Sequence, residues 1–121
     1  MNLFVIICSF KPISVPALRW GNDNEQKARA AYEAKMNVLV TKTGLTLHNK
    51  YPYIGATADG MINDSVVLEI KCPYSGRHLT VHQLVETGYK HLQYDGDNSL
   101  QLKTTSPYYC QVQGEMALKH V

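Results

Sequence analysis

The sequence predicts an α+β domain, in which a helix comes first, several antiparallel strands follow, and further helices end the chain. Three observations lead to this fold class. Apolar residues repeat with helical spacing after Asn22, β-branched residues alternate with turn residues between Val38 and Lys71, and Ser106-Pro107 opens another helical stretch. The 121 residues allow one domain with one modest core.

Composition and charge place the chain among ordinary globular proteins. Hydrophobic residues make up 45% of it and charged residues 18%, which excludes a disordered chain. The formal net charge is only +2, so a nucleic-acid surface must be local. The 3 cysteines are an odd number and widely spaced, which indicates a reducing compartment. We therefore expect an intracellular protein, in the cytoplasm or the nucleus depending on the host.

The start of the chain carries an apolar run over 3–8, which predicts a buried strand or the start of a helix. The run lacks the basic flank and cleavage site of a signal peptide. No stretch reaches the roughly 20 apolar residues of a membrane span, so we expect no membrane partner. Pro12 and Pro16 predict a break in regular structure, and the first helix should begin at Asn22 or Asp23, either of which can cap it. Its apolar face would consist of Ala28, Ala31, Tyr32 and Met36.

Strand patterns fill the middle of the chain. β-Branched and alternating residues predict four strands, of which the last is the strongest. They cover residues 38–41, 45–48, 53–60 and 66–71. Gly44 and the pair Asn63-Asp64 supply turns, so the strands should pair as antiparallel hairpins. Pro73 ends the last strand because it has no amide proton to continue the ladder.

The last third of the chain is predicted to be mainly helical. A helix is expected over 78–86. Ser106 and Pro107 open a final helix over 108–119, since a serine caps free amides and a proline fits the first helical position. Between the two helices lie a turn at 95–98 and a short strand over 100–103.

The chemistry-bearing pattern is Asp59-Gly60 followed, after a short turn, by Glu69-Ile70-Lys71. Successive side chains of a strand point to opposite faces, so Glu69 and Lys71 project together while Ile70 points into the core. Asp59 ends the partner strand and can approach Glu69 across the hairpin. A Glu-x-Lys pair alone is usually a surface salt bridge, but the preceding Asp-Gly and the following Cys-Pro favour a functional site.

The ligands that this pattern offers are hard oxygen atoms. The carboxylates of Asp59 and Glu69, with the main-chain carbonyl of Ile70, suit magnesium or manganese. Such a metal keeps part of its water shell and lowers the pKa of a bound water. Lys71 beside it can hold or polarise an attacking water. We therefore predict a Mg²⁺ site, with Mn²⁺ as a substitute.

Four segments, in order, resemble the motifs of a known enzyme group. They are Gly21-Asn22-Asp23-Asn24-Glu25 with Ala28 and Tyr32, Gly55-Ala56-Thr57-Ala58-Asp59-Gly60, Leu68-Glu69-Ile70-Lys71-Cys72-Pro73, and Tyr108-Tyr109-Cys110-Gln111-Val112-Gln113. Together they are similar to the active-site pattern of the PD-(D/E)XK nuclease superfamily. Within it they most resemble the YqaJ-type viral recombinase family, which is related to the lambda phage exonuclease.

The resemblance implies a restriction-endonuclease-like core, with a mixed central β-sheet flanked by helices. This core would cover residues 21–121, and residues 1–20 would form an N-terminal segment with no role that the resemblance names. Members of the family are usually longer than this chain. The resemblance therefore leaves open whether the chain is a complete protein or one truncated at its C-terminus.

By the same resemblance, a set of side chains forms the cleavage centre and its substrate contacts. Glu25 would reach the metal directly or through water. Gln111 would contact a phosphate or the attacking water, and Tyr108 and Gln113 on the same helix would help to bind the substrate. The implied catalytic set is Lys71, Glu69, Asp59, Glu25 and Gln111, and the implied metal ligands are Asp59, Glu69, Glu25 and the Ile70 carbonyl.

The expected function is metal-dependent hydrolysis of DNA phosphodiester bonds, as an exonuclease used in recombination or repair. DNA would be held mainly through its phosphates, because no base-reading motif is present. The residues do not decide between exonuclease and endonuclease, strand polarity, or a homo-oligomeric state. Two alternatives stay open. One is a catalytically silent DNA-binding module or incomplete fragment that keeps the nuclease fold, and the other is an interaction domain with a coincidental Glu-x-Lys strand.

Two other kinds of site compete for the same region. Cys72, His78 and His82 could suggest zinc, with both histidines on one helix, but no fourth ligand and no closely spaced cysteine pair is evident. A nucleophilic pair of Cys72 with a histidine lacks a third, orienting group. Both are weaker interpretations than the carboxylate site.

Overall fold

The computed structural model describes residues 2–6 and 15–120 of the chain. The helices are α1 (Val15–Met36), α2 (Val81–Glu86) and α3 (Pro107–Lys119). The strands are β1 (Asn2–Ile6), β2 (Thr46–Leu47), β3 (Gly55–Ala56), β4 (Gly60–Ile62), β5 (Val66–Ile70), β6 (Leu92–Tyr94) and β7 (Leu100–Leu102). This is a mixed helix-and-sheet protein, as predicted. Within the described part, no helix is long and apolar enough to cross a membrane.

A three-stranded sheet in the order β1-β5-β4 forms the centre of the fold. β5 is parallel to β1 and antiparallel to β4, so the sheet is mixed. Every residue of β5 is buried, which agrees with the prediction that this strand is the strongest. Asn63 and Asp64 form the turn between β4 and β5, and their φ angles of 51° and 55° are those that tight hairpin turns require.

α1 begins at Val15, and the prediction that it begins at Asn22 or Asp23 is wrong. Pro16 lies in its first turn, where the missing amide proton has no helical acceptor to lose. This proline therefore starts the helix and does not interrupt it. The predicted break at Pro12 lies outside the described residues.

Helices cover both faces of the central sheet. Trp20, Ala28 and Tyr32 of α1 pack on a cluster of Val40, Ile62, Val66, Leu68, Ile70 and Cys72. Met116 of α3 packs on a second cluster of Ala58, Met61 and Val67. Because side chains of β5 alternate, its even-numbered residues face α1 and its odd-numbered residues face α3. Glu69 therefore belongs to the α3 face.

Two of the predicted strands differ in the structure. Residues 38–41 make only an isolated bridge, between Thr41 and Met61, because only Thr41 exchanges main-chain hydrogen bonds with β4. The strand predicted over 53–60 is divided, since β3 pairs with β2 whereas β4 pairs with β5. Asp59 lies in the connection before β4, and not at the end of a strand. The chain changes its pairing partner at this point, so no single ladder runs through it.

The helix predicted over 78–86 is shorter at its start. Residues 75–78 form a turn, and α2 begins after Thr80. The hydroxyl of Thr80 accepts a hydrogen bond from the amide of Gln83, and the Gln83 side chain accepts one from the Thr80 amide. This reciprocal cap fixes the first turn of the helix.

The C-terminal elements include one strand that was not predicted. β6 pairs with β7 across the predicted turn, which Asp95 holds by accepting hydrogen bonds from the amides of Asp97 and Ser99. The predicted start of α3 is confirmed. Ser106 is its cap, and its hydroxyl accepts from the Tyr108 amide at 3.1 Å.

Candidate active site

The connection before β4 holds Asp59 against the end of β5. The main-chain amide of Ile70 donates a hydrogen bond of 2.6 Å to Oδ2 of Asp59. Ile70 is the last residue of β5, so this bond fixes the carboxylate at the strand end from which Glu69 and Lys71 project. Asp59 and Glu69 are close enough to interact electrostatically. The fold thus brings the predicted residues of this hairpin together.

Glu69 joins the central sheet to α3. It is only 2% exposed. Its Oε1 atom accepts hydrogen bonds from Nζ of Lys71 and, at 2.7 Å, from Nε2 of Gln111. The side-chain carbonyl of Gln111 in turn accepts from Nζ of Lys71 at 3.3 Å. The three side chains close a triangle of hydrogen bonds, which places Gln111 in the site.

α3 contributes a further carboxylate that the sequence analysis missed. Glu115 is 2% exposed, and its Oε1 atom accepts from the amide nitrogen of Gln111 at 2.9 Å. Gln111 and Glu115 are four residues apart and therefore share one face of the helix. That spacing was the available signal, because an acid one turn after a site glutamine points the same way.

Burial raises the pKa of three carboxyl groups in this cluster. The pKa of Asp59 rises to about 6, first because burial disfavours its charged form and then because Glu69 lies nearby. Burial also raises the pKa of Glu69, although Lys71 opposes the shift. It raises the pKa of Glu115 as well, against the hydrogen bond from Gln111. Lys71 therefore offsets only part of the negative charge.

Glu25 lies on α1 at the edge of this cluster. Its Oε1 atom is 2.6 Å from a guanidinium nitrogen of Arg29. The same nitrogen donates to the main-chain carbonyl of Asp59 at 3.1 Å. The charge of Glu25 contributes to the raised pKa of Asp59, after the effects of burial and of Glu69. Arg29, which is buried, ties α1 to the site.

Tyr108 and Gln113 occupy different positions relative to the cluster. The ring of Tyr108 has its centroid 4.9 Å from Nζ of Lys71, and it also stacks on His91 at 4.1 Å. This contact is a cation–π interaction that helps to hold the ammonium group. Gln113 is exposed and lies two residues after Gln111, on another face of α3. The structure does not bring Gln113 to the cluster.

The donor set of the cluster fits a hard divalent cation. Oε2 of Glu69 and Oε2 of Glu115 are buried, and no N–H or O–H donor of the described residues reaches either atom. The two carboxyl groups lie within hydrogen-bond range of each other, so without a cation they can share one proton. Buried carboxylate oxygens of this kind are costly unless a cation compensates them. Among residues 2–6 and 15–120, no group of three or more His, Cys, Asp or Glu side chains is placed so that all of them could hold one metal ion. Mg²⁺ does not require one, since it is commonly held by one or two carboxylates and keeps several waters.

The zinc and cysteine interpretations do not fit the geometry. His78 lies in the turn before α2, whereas His82 lies within α2 and contacts the hydroxyl of Tyr94. The two histidines are therefore not on one helix. Burial, with smaller contributions from nearby carboxylates, raises the pKa of Cys72 to about 11. A thiol with this pKa is not a nucleophile at neutral pH.

Known proteins share both the sequence pattern and the fold. The family described as the YqaJ-like viral recombinase domain matches residues 7–119. The crystal structure of LHK-Exo in complex with dAMP is similar over 91% of this chain and 48% of its own, with 30% identity and a TM-score of 0.64. That of an alkaline exonuclease (LHK-Exo) from Laribacter hongkongensis is similar over 89% and 46%, with 30% identity and a TM-score of 0.62. The chain spans about half the length of these solved structures. No curated protein matches it.

Proposed function

Because the chain belongs to the YqaJ-like viral recombinase domain family, we propose that its carboxylate cluster is the centre of a magnesium-dependent deoxyribonuclease. One observation carries the proposal: Asp59, Glu69 and Lys71 meet at the end of β5, with more buried negative charge than the lysine offsets. The similarity to an alkaline exonuclease supports attack from DNA ends, and the family supports use in recombination or repair. The core would be restriction-endonuclease-like over residues 21–121.

Three groups at the end of β5 would hold the metal. Oδ2 of Asp59 accepts from the Ile70 amide, which leaves Oδ1 as one metal ligand, and Oε2 of Glu69, which no donor of the described residues reaches, is a second. The carbonyl of Ile70 would be the third, with Glu25 reaching the ion directly or through water. Bound Mg²⁺, or Mn²⁺ in its place, would lower the pKa of a water and offset the charge that develops on the phosphate.

Lys71 would act on the water or on the phosphate. Its side chain is 14% exposed and is held by Glu69, Gln111 and the ring of Tyr108. An ammonium group fixed in this way can orient a water toward phosphorus or donate to a non-bridging phosphate oxygen. Because it is positioned before the substrate arrives, little reorganisation is needed during the reaction.

Gln111 and its helix would serve positioning and substrate binding. The amide nitrogen of Gln111 is hydrogen-bonded to Glu69 and Glu115, so its first role would be to orient Glu69. A contact with a phosphate would require release of one of these partners, whereas the side-chain carbonyl of Gln111, which accepts from Lys71, has a second lone pair that can accept from the attacking water. Tyr108 would hold Lys71 in place, and Gln113 would meet DNA outside the centre.

DNA would be the partner of this site, held mainly through its phosphates. The dAMP bound in the crystal structure of LHK-Exo is a nucleotide, which supports this class of ligand. An approaching phosphate meets the carboxyl groups of Asp59, Glu69 and Glu115, whose negative charge Lys71 offsets only in part, and a bound cation would make that approach favourable. A homo-oligomer is compatible with this proposal and can be measured by sedimentation.

The test is cleavage of linear and circular double-stranded DNA by the purified chain, with Mg²⁺ and with EDTA. We expect loss of the linear DNA only, and only with Mg²⁺. Lys71→Ala should lower the rate by about 10² to 10³-fold, because a positioned charge at the reacting centre is lost. Lys35→Ala is the matched control, because Lys35 is exposed near the end of α1 and its replacement removes the same charge as Lys71→Ala.

Each other outcome has a defined meaning. Nicking of the circle would indicate an endonuclease. Full activity of Lys71→Ala, with circular dichroism showing a folded variant, would remove Lys71 from the mechanism. Absence of cleavage in every lane from a folded wild type would contradict the nuclease proposal and favour a silent DNA-binding module.

A further inference from the structure

The hairpin of β2 and β3 lies beside the carboxylate cluster but supplies no residue to it. Thr46 pairs with Ala56, and Leu47 pairs with Gly55. We name residues 46–56 the aromatic hairpin, because its loop carries one histidine and two tyrosines. Nothing in the proposed chemistry of cleavage uses these rings.

The loop of the aromatic hairpin is held in one shape by its own hydrogen bonds. Nδ1 of His48 accepts from the main-chain amides of Lys50 and Tyr51, both at 3.1 Å. The amide of His48 donates to the carbonyl of Ile54 at 2.8 Å, and the Ile54 amide donates to the carbonyl of Tyr51 at 2.9 Å. The rings are therefore presented on a pre-formed platform.

The rings form a short ladder that opens to solvent. His48 stacks on Tyr51 with centroids 5.2 Å apart, and Tyr51 lies 6.0 Å from Tyr53. Tyr53 is 82% exposed and Tyr51 is 39% exposed. Nζ of Lys50 lies 5.4 Å from the centroid of Tyr51. Exposed aromatic rings beside a cation are the arrangement on which unpaired nucleobases stack.

The stretch of sequence that contains the aromatic hairpin carries charge of one sign. No acidic residue occurs between Glu33 and Asp59, whereas Lys42 lies just before the hairpin and Lys50 lies in its loop. The whole chain carries a formal charge of only +2, so the positive charge is concentrated in this part of the sequence. Such a surface is complementary to a polyanion. This favours nucleic acid over a partner that would cover the rings by apolar contact alone.

The aromatic hairpin leads directly into the carboxylate cluster. The hydroxyl of Thr43, just before β2, donates to the carbonyl of Ala58 at 3.3 Å. Both strands of the hairpin also pack against α3, the helix that carries Gln111. A fully extended chain advances by at most about 3.6 Å per residue, so Tyr53 lies within about 22 Å of Asp59. A few nucleotides of single strand can cover this distance.

We infer that the aromatic hairpin binds single-stranded DNA, with unpaired bases stacked on Tyr53 and Tyr51 and the backbone phosphates near Lys50. The inference rests on the proposed nuclease function, because the strand would be the one that enters or leaves the cleavage centre. Duplex DNA is disfavoured here, since its bases already stack on each other and present no free faces.

The experiment is fluorescence anisotropy of a labelled oligothymidylate of about 20 nucleotides, titrated with the purified chain in EDTA at low salt. Tyr53→Ala should weaken binding by about five-fold to a hundred-fold, the usual effect of losing one base-stacking ring. Tyr53→Phe should bind like wild type, because the ring remains. Tyr53→Leu should bind as weakly as Tyr53→Ala, because an apolar side chain without a ring cannot stack. Leu39→Ala is the control, since it removes an apolar side chain that is 75% exposed and lies outside the hairpin.

Three results would overturn the inference. Equal binding by Tyr53→Leu and wild type would show that apolar contact, and not stacking, matters. Equal binding by Tyr53→Ala and wild type would remove the hairpin from DNA binding. A wild-type dimer in sedimentation that Tyr53→Ala dissociates, without a change in DNA affinity, would make the hairpin a subunit interface. Because EDTA prevents metal-supported cleavage, these results are independent of turnover, and a wild type that binds the oligonucleotide but cleaves no DNA would contradict only the nuclease proposal.

Discussion

At the residue scale, protonation of Asp59 makes the stability of the metal-free protein depend on pH. The pKa of Asp59 rises from its ordinary value of 3.8 to about 6 in the folded chain. Between these two values the unfolded chain releases its proton first, so this group lowers the free energy of unfolding as pH rises. Above about pH 6, the decrease in the free energy of unfolding that the charged carboxylate causes is complete. It is at most about 3 kcal/mol for this half-buried group.

Asp59→Asn should therefore stabilise the metal-free protein, and more at pH 7.5 than at pH 5, by a difference of about 1 kcal/mol. The asparagine keeps an oxygen that can accept the Ile70 amide but carries no charge. Thermal melts in EDTA at both pH values measure the effect. Comparing variant with wild type matters, because burial lowers the pKa of His91, which contributes an opposite dependence of stability on pH. Asp64→Asn, in the exposed turn between β4 and β5, should change neither melt, and a less stable Asp59→Asn in EDTA at pH 7.5 would show that the carboxylate stabilises the fold.

At the scale of elements, close packing of the segment 38–41 on β4 holds the connection that carries Asp59. A Cβ atom on Gly60 would overlap the side chain of Val40, which is buried and cannot move aside. Gly60→Ala should therefore destabilise the chain by about 1–3 kcal/mol, the usual cost of overpacking. Because Gly60 adjoins Asp59, Gly60→Ala should also lower the rate of DNA cleavage.

A second glycine is the matched control for this substitution. Gly114 lies in the exposed part of α3, and a Cβ atom there would meet no other atom within 4 Å. Gly114→Ala should stabilise the chain by about 0.5–1 kcal/mol, because alanine favours the helix. Urea melts of both variants measure the two effects. Equal stability of Gly60→Ala and wild type would mean that the segment 38–41 moves freely.

Elements built from local signals were predictable, and those that depend on distant contacts were not. The Asn63-Asp64 turn and β5 follow from neighbouring residues, so the grouping of Asp59 with Glu69 could be predicted. The spacing of Glu115 from Gln111 indicates a shared helix face, but only the folded chain shows that this face covers Glu69, because β5 and α3 are far apart in the sequence. β6 was missed because its three residues gain their pairing only from β7.

At the scale of the whole molecule, the two kinds of charge are separated. The carboxyl groups of Asp59, Glu69 and Glu115 cluster at the end of β5, whereas Lys42 and Lys50 lie just before the aromatic hairpin and in its loop. DNA would be attracted to the hairpin and repelled from the cluster until a cation is bound. Metal binding would thus stabilise the folded chain and also favour the approach of DNA.

This separation predicts that magnesium removes the stability advantage of Asp59→Asn over wild type. In EDTA at pH 7.5, Asp59→Asn should melt above wild type, because it lacks the uncompensated charge. With Mg²⁺ at about 100 times its dissociation constant, wild type should gain about 2.7 kcal/mol, whereas the variant gains little, so wild type should then melt higher or level with it. The gain should shrink at pH 5, because protons compete with the metal for the carboxylates. Scanning calorimetry with and without Mg²⁺ makes the comparison, and Asp64→Asn should gain as much as wild type. An equal gain by Asp59→Asn would place the metal elsewhere in the molecule.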